Sequence, residues 1–170
     1  MDKNKMILRS GIYTVYRNTV YEINRWLDRD GEYIYIHDKE DMDDKCIKKD
    51  GYVIRPITSD EVSEVYSVTP YAIYKGYKVE LRGSKLFEKM AIAPTSMDNT
   101  DYDETMKALG IKHVYDGDDT IFVPAKDLDF YERVKYYDRH EYFNDIFEPY
   151  KVEDYHVIIK DGELHRHKVE

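Results

Sequence analysis

"YAIYKGYKVELRG" at residues 71–83 and "YTVYRNTVYEINR" at residues 13–25 have nearly the same shape, and the reading of the fold turns on that likeness. Laid over one another, they pair Tyr13 with Tyr71, Val15 with Ile73, Tyr16 with Tyr74, Glu22 with Glu80 and Ile23 with Leu81. Arg17-Asn18 in the first stands where the second has Lys75-Gly76. In each, an alternating run of β-forming residues breaks at a turn-forming pair and resumes, which predicts a β-hairpin.

The likeness continues downstream in the same order. "DMDDKCIKK" at 41–49 faces "DYDETMKAL" at 101–109, each leading to a glycine, Gly51 or Gly110. Carboxylates at the start and glycine after the end suit a short helix, because the first turn carries a positive dipole and the exit wants a left-handed residue. "VIRPITSDEVSEV" at 53–65 faces "IFVPAKDLDFYER" at 121–133, aligning Pro56 with Pro124. A strand stopped by proline and followed by a capped helical turn is expected in both. With third strands at "EYIYIH" and "EKMAIAP", each unit reads as hairpin, third strand, acidic short helix, one or two strands and a helix.

The expected fold class is therefore α+β and β-rich, with two tandem similar units of antiparallel strands, SH3-like in outline, and short helices. The units span 10–68 and 69–137, and residues 138–170 form a C-terminal extension packing on the second unit. That extension contains a hairpin, "YHVIIKDGELHRHKV", turning at Asp161-Gly162. The competing reading is one β-rich domain that happens to contain two similar hairpins.

Composition narrows the partners. The chain has 170 residues, 36% of them charged, with a net charge of −9 spread along most of its length. A phosphate backbone repels such a surface, so nucleic acid is excluded as a direct ligand and a basic protein is the natural complement. Eighteen tyrosines allow a core and an adhesive surface together, since each ring is large and its tip polar. Cys46 is the lone cysteine, which excludes an internal disulfide. Residues 1–10 lack an apolar run of signal-peptide length and no stretch reaches ~20 apolar residues, so a cytoplasmic protein without a membrane segment is expected.

Three acidic clusters supply the candidate binding residues: Asp38, Glu40, Asp41, Asp43 and Asp44; Asp98, Asp101, Asp103 and Glu104 with Tyr102; and Asp116, Asp118 and Asp119. Each reads plainly as a solvated helix start or turn. The sharper reading is a polyanionic face that copies the charge of nucleic acid. None has calcium-loop spacing. His165 and His167 lie on one face of a strand, but no carboxylate or thiol follows at ligand spacing, so no metal is expected. No nucleophile elbow, phosphate loop or dinucleotide fingerprint occurs, Cys46 falls inside the expected helix as a packed thiol, and no cofactor or catalytic residue is assigned. Glu61 and Glu64, three apart on an expected helix, are the one carboxylate pair a hydrolase could use, and an exposed helix face accounts for them equally.

With this pattern laid out, the chain resembles small, acidic, tyrosine-rich Firmicutes proteins that repeat "aIYKGykve", then "GF/GI", then "vPkdElexiY". Here those elements read "YAIYKGYKVE", "LGIKHV" and "VPAKDLDFYERV", and the resemblance spans about residues 11–137. Such proteins look like immunity proteins of polymorphic or contact-dependent toxin systems, which neutralise the C-terminal domain of a neighbouring toxin. The resemblance implies a binding protein, not an enzyme, whose partner is a cognate toxin domain, a basic nuclease. The alternative from another class is an adaptor whose tyrosine-lined, SH3-like barrels bind extended peptides.

Overall fold

Alternation of apolar and polar side chains makes strands of most of the chain. A computed structural model describes residues 6–25, 31–111 and 119–170. In chain order the strands are β1 (Gly11–Tyr16), β2 (Thr19–Arg25), β3 (Glu32–Tyr35), β4 (Ile47–Lys49), β5 (Tyr52–Ile57), β6 (Val65–Tyr74), β7 (Tyr77–Leu81), β8 (Lys89–Pro94), β9 (Ile121–Pro124), β10 (Asp129–Tyr137), β11 (Pro149–Lys160) and β12 (Glu163–Lys168). The α-helices are α1 (Tyr102–Leu109) and α2 (Arg139–Phe143). The protein is thus β-rich with antiparallel pairing. It divides into two compact units, Gly11–Val68 with Val134–Val152, and Met1–Ser10 with Thr69–Arg133 and Glu153–Glu170.

In the Gly11–Val68 unit, β1 pairs with β2 through Tyr13 opposite Glu22 and with β6 through Tyr13 opposite Tyr66. β2 pairs with β3, β3 with β5, and β5 with the short edge strand β4. A three-residue 3-10 turn, Ser59–Glu61, joins β5 to β6 and is closed by the reciprocal Thr58–Glu61 capping box. The inward positions Tyr16, Tyr21, Ile23, Ile34, Ile57 and Val65 form the core, and Tyr142 of α2 packs onto them. Each such side chain taken from water contributes about 1.5–3 kcal/mol.

In the Thr69–Arg133 unit, β6 pairs with β7, β7 with β8 and β8 with β9. A 3-10 turn at Ala125–Asp127 leads into β10, and β11 with β12 forms the C-terminal hairpin. Its core gathers Ala72, Val79, Ile92, Val123, Phe130 and Val157. α1 starts at Asp101, whose carboxylate accepts from the Glu104 amide, and leaves through Gly110 at φ 76.

The expected hairpin turns form at Arg17-Asn18 and Lys75-Gly76, both residues of each pair lying in the left-handed region. That geometry matches the twist of the strands it joins. Asp161-Gly162 does the same between β11 and β12.

Two expectations are corrected. The acidic segment at 41–49 is not a helix: Lys39–Asp41 makes a 3-10 turn capped by Asp38, and Ile47–Lys49 is strand. The cause is tertiary, because Asp41 and Asp43 are drawn to Tyr21 and Arg55, and Cys46 lies outside any helix with its Sγ 3.4 Å from the Asp43 amide. The helices expected after Pro56 and Pro124 are three-residue 3-10 turns followed by the long strands β6 and β10. Alternation of Val, Tyr and Phe in those stretches outweighs the capping signals.

Candidate interaction site

The carboxylates of the acidic clusters divide by what they touch. Asp41 is only 5% exposed and accepts a 2.6 Å hydrogen bond from the Tyr21 hydroxyl, which burial and this bond push up from its ordinary pKa. Asp43 accepts from Arg55, Arg17 and Tyr16, and the Arg55 guanidinium holds its carboxyl down at about 2. Asp98, at φ 56, is gripped by Arg133 and Lys78, which hold it below the carboxylate range. Asp119 accepts from Tyr102 at 2.6 Å and Arg82 at 2.8 Å and is lowered by both. These four carboxylates organise the fold.

The remaining candidates face solvent. In the Gly11–Val68 unit Asp38, Glu40 and Asp44 are exposed; in the Thr69–Arg133 unit so are Asp101, Asp103 and Glu104, with Tyr102 beside them. Asp101 is spent on capping α1 and Glu104 accepts from Tyr77. Asp116 and Asp118 lie outside the described residues.

The tyrosines gather in several ring clusters. On the outward face of the Gly11–Val68 unit, Tyr13 stacks on Tyr66 at 5.6 Å, Tyr66 lies 5.8 Å from Tyr136, and the Lys151 ammonium sits 4.7 Å above Tyr136. Further across, Tyr35 meets Tyr33 at 5.4 Å and Tyr52 at 5.5 Å, edge to face. Tyr35, Tyr52 and Val20 are 42%, 63% and 49% exposed. In the Thr69–Arg133 unit the stack of Tyr71, Tyr131 and His156 is internal. Tyr71 is buried, Lys78 and Arg133 lie over its ring, and burial pushes its hydroxyl up to about 12.

Glu61 accepts from Arg55, Lys45 and Thr58, with Arg55 holding it at about 2, so it does not carry a proton at neutral pH. Ser59 and Asp60 both approach the same nitrogen of His140, at 3.1 and 4.0 Å, so the ring has no second nitrogen between them to relay a proton. His167 lies across from His156 in the β11–β12 ladder, but among the described residues no group of His, Cys, Asp and Glu converges as a metal site would. An apolar cleft of about 390 Å³ between Ile12, Ile23, Tyr137, Tyr142 and Phe147 has one charged wall, Arg25, already held by Glu32 and Asp145. No helix among the described residues is long and apolar enough to cross a membrane.

Sequence reasoning singled out acidic residues and missed Arg55, Arg133 and Glu132, the buried charges around which each unit is organised. Glu132 is fully buried and binds Arg9 and Arg166; burial pushes its carboxyl up, but the guanidinium hydrogen bonds outweigh that and hold it below its usual range. The available signal was alternation, since Glu132 and Arg55 occupy inward positions of their strands.

Two antiparallel β-rich units, one carrying an open aromatic face, define the class of protein. Residues 8–137 match the family described as "Uncharacterised conserved protein UCP033725", and the chain belongs to it. No curated protein and no solved structure matches the chain.

Proposed function

We propose that the chain is an immunity protein that acts in the cytoplasm, where it binds and neutralises a cognate toxin domain, a basic nuclease, through acidic and tyrosine-rich surface. It works as a binding partner and not as a catalyst. The observation that carries this reading is the division of the carboxylates. Glu40, Asp44 and Asp103 stand exposed with no side-chain partner among the described residues, while their neighbours are neutralised internally. Exposed, uncompensated carboxylates steer a basic partner, and exposed tyrosines provide the dry anchors that tight complexes need.

On the same reading the chain is a tandem duplication of an SH3-like unit. Supporting this, each unit runs hairpin, third strand, acidic segment, return strand, three-residue 3-10 turn and a closing strand. Duplication of this kind doubles the surface available to a partner.

Co-expression with the C-terminal domain of the toxin encoded beside it is the direct test. Restored growth and a stable one-to-one complex are expected, and Glu40→Lys, Asp44→Lys and Asp103→Lys together weaken that complex at least about tenfold without loss of fold. No rescue and no complex would overturn the assignment. The open tyrosine face favours a second reading, an adaptor for extended peptides, which predicts micromolar affinity for short segments in place of one tight complex.

A further inference from the structure

We infer that a cleft over β8 and β9 docks an extended acidic segment of a partner protein, one that alternates carboxylate and apolar side chains. The cleft lies wholly in the Thr69–Arg133 unit. It goes beyond the immunity reading, which turns acidic surface toward a basic partner, and neither depends on the other. The trough follows from strands in register. Ala91 of β8 lies between Phe122, opposite it on β9, and Arg82, whose amide donates to the Ala91 carbonyl just past the end of β7. A small side chain flanked by two large ones leaves a space of about 310 Å³, closed at its near end by Lys85 and Phe87 from the chain entering β8. Phe122 is 72% exposed, more than any other large apolar side chain among the described residues, and Phe87 is 59% exposed.

Charge names the occupant. Arg82, Lys85 and Lys89 line the cleft and, among the described residues, no carboxylate does, in a chain of net charge −9. Arg82 is held by Asp119 at 2.8 Å and Glu80 at 3.0 Å, which fixes it as a wall. Lys85 and Lys89 make no side-chain hydrogen bond or ion pair among the described residues, and the Lys85 ammonium stands 5.4 Å from the centre of the Phe87 ring. Glu88, next to Lys89 in the chain, is exposed and does not line the cleft. Whatever covers Phe87 and Phe122 strips water from both ammonium groups. Carboxylates replace that hydration with charge-assisted hydrogen bonds, a basic segment is repelled, and a wholly apolar one leaves the two cations poorly solvated. A nucleic-acid backbone also carries anions, but the negative excess of the whole chain opposes it. A segment lying along a strand is itself extended, so every second side chain faces the sheet. Apolar side chains then enter between the two rings while the alternate carboxylates reach the lysines at the rim.

The test titrates the isotope-labelled full chain with a blocked octapeptide of alternating glutamate and leucine and follows its amide resonances. Saturable shifts at Lys89, Ala91 and Phe122 are expected. Lys85→Glu combined with Lys89→Glu is expected to weaken binding at least about tenfold, and Phe122→Ala at least about fivefold, circular dichroism verifying that each variant keeps the fold. Shifts that are absent, that a matching octapeptide of lysine and leucine or an octathymidylate produces equally, or that both variants retain within about twofold overturn the inference. Self-association of the parent in sedimentation that Phe122→Ala abolishes also overturns it, because the occupant is then a second copy of the chain.

Discussion

Arg55 shows how much a single buried side chain decides. It is 3% exposed, stacks on Tyr16 and donates to Asp43 and Glu61 together. Arg55→Ala strands two carboxylates and is expected to cost about 3–5 kcal/mol in urea unfolding, whereas Arg55→Lys recovers charge but not the fork and falls between. Both partner carboxyls have folded pKa values near 2, below their unfolded values of roughly 4. Their contribution is complete above the unfolded value and is lost as pH falls through the folded one, so stability is expected to decline between about pH 4 and 2. In Arg55→Ala that acid-dependent loss shrinks, which a pH series of denaturation curves measures. The sequence displays Asp43 as one of a run of acids, and nothing local separates it from the exposed Asp44. The distinction comes from a guanidinium twelve positions away, beyond the reach of any local pattern.

Among the elements, the hairpins were legible and the helices only half so. A turn is written in two adjacent residues, and Lys75-Gly76 and Asp161-Gly162 announce theirs by the left-handed backbone they allow. Gly76 has open space where a Cβ would go, so Gly76→Ala meets only backbone strain and is expected to lower stability by about 1 kcal/mol, while Asn18→Gly is neutral or better. Thermal unfolding of the two variants decides between them. The paired acidic segments carry similar signals, yet only 102–109 is α-helical, because its Asp101 is free to cap the helix while Asp41 and Asp43 are engaged elsewhere. The helix expected after Pro124 is a three-residue 3-10 turn that runs into β10, because the capping signal there extends no further than one turn. The inward residues of β10, Phe130, Glu132 and Val134, follow the strand period.

At the scale of the whole molecule the net charge of −9 sets kinetics more than shape. On the proposed immunity function, association with the basic toxin domain is expected to slow steeply between low and physiological salt while dissociation changes little, a contrast that stopped-flow mixing over a salt series resolves. Charge excess and tyrosine richness were visible in composition; which carboxylates and rings remain available was not, since that depends on strand pairing across the chain. The buried Glu132 carboxylate binds Arg9, 123 positions away in sequence, as well as Arg166. A contact that closes so long a loop forms late, after the local hairpins have prepaid much of the chain entropy. Glu132→Gln is therefore expected to steepen unfolding rates several-fold and leave refolding nearly unchanged, making this clasp a governor of the protein's lifetime once folded and not of its speed of folding.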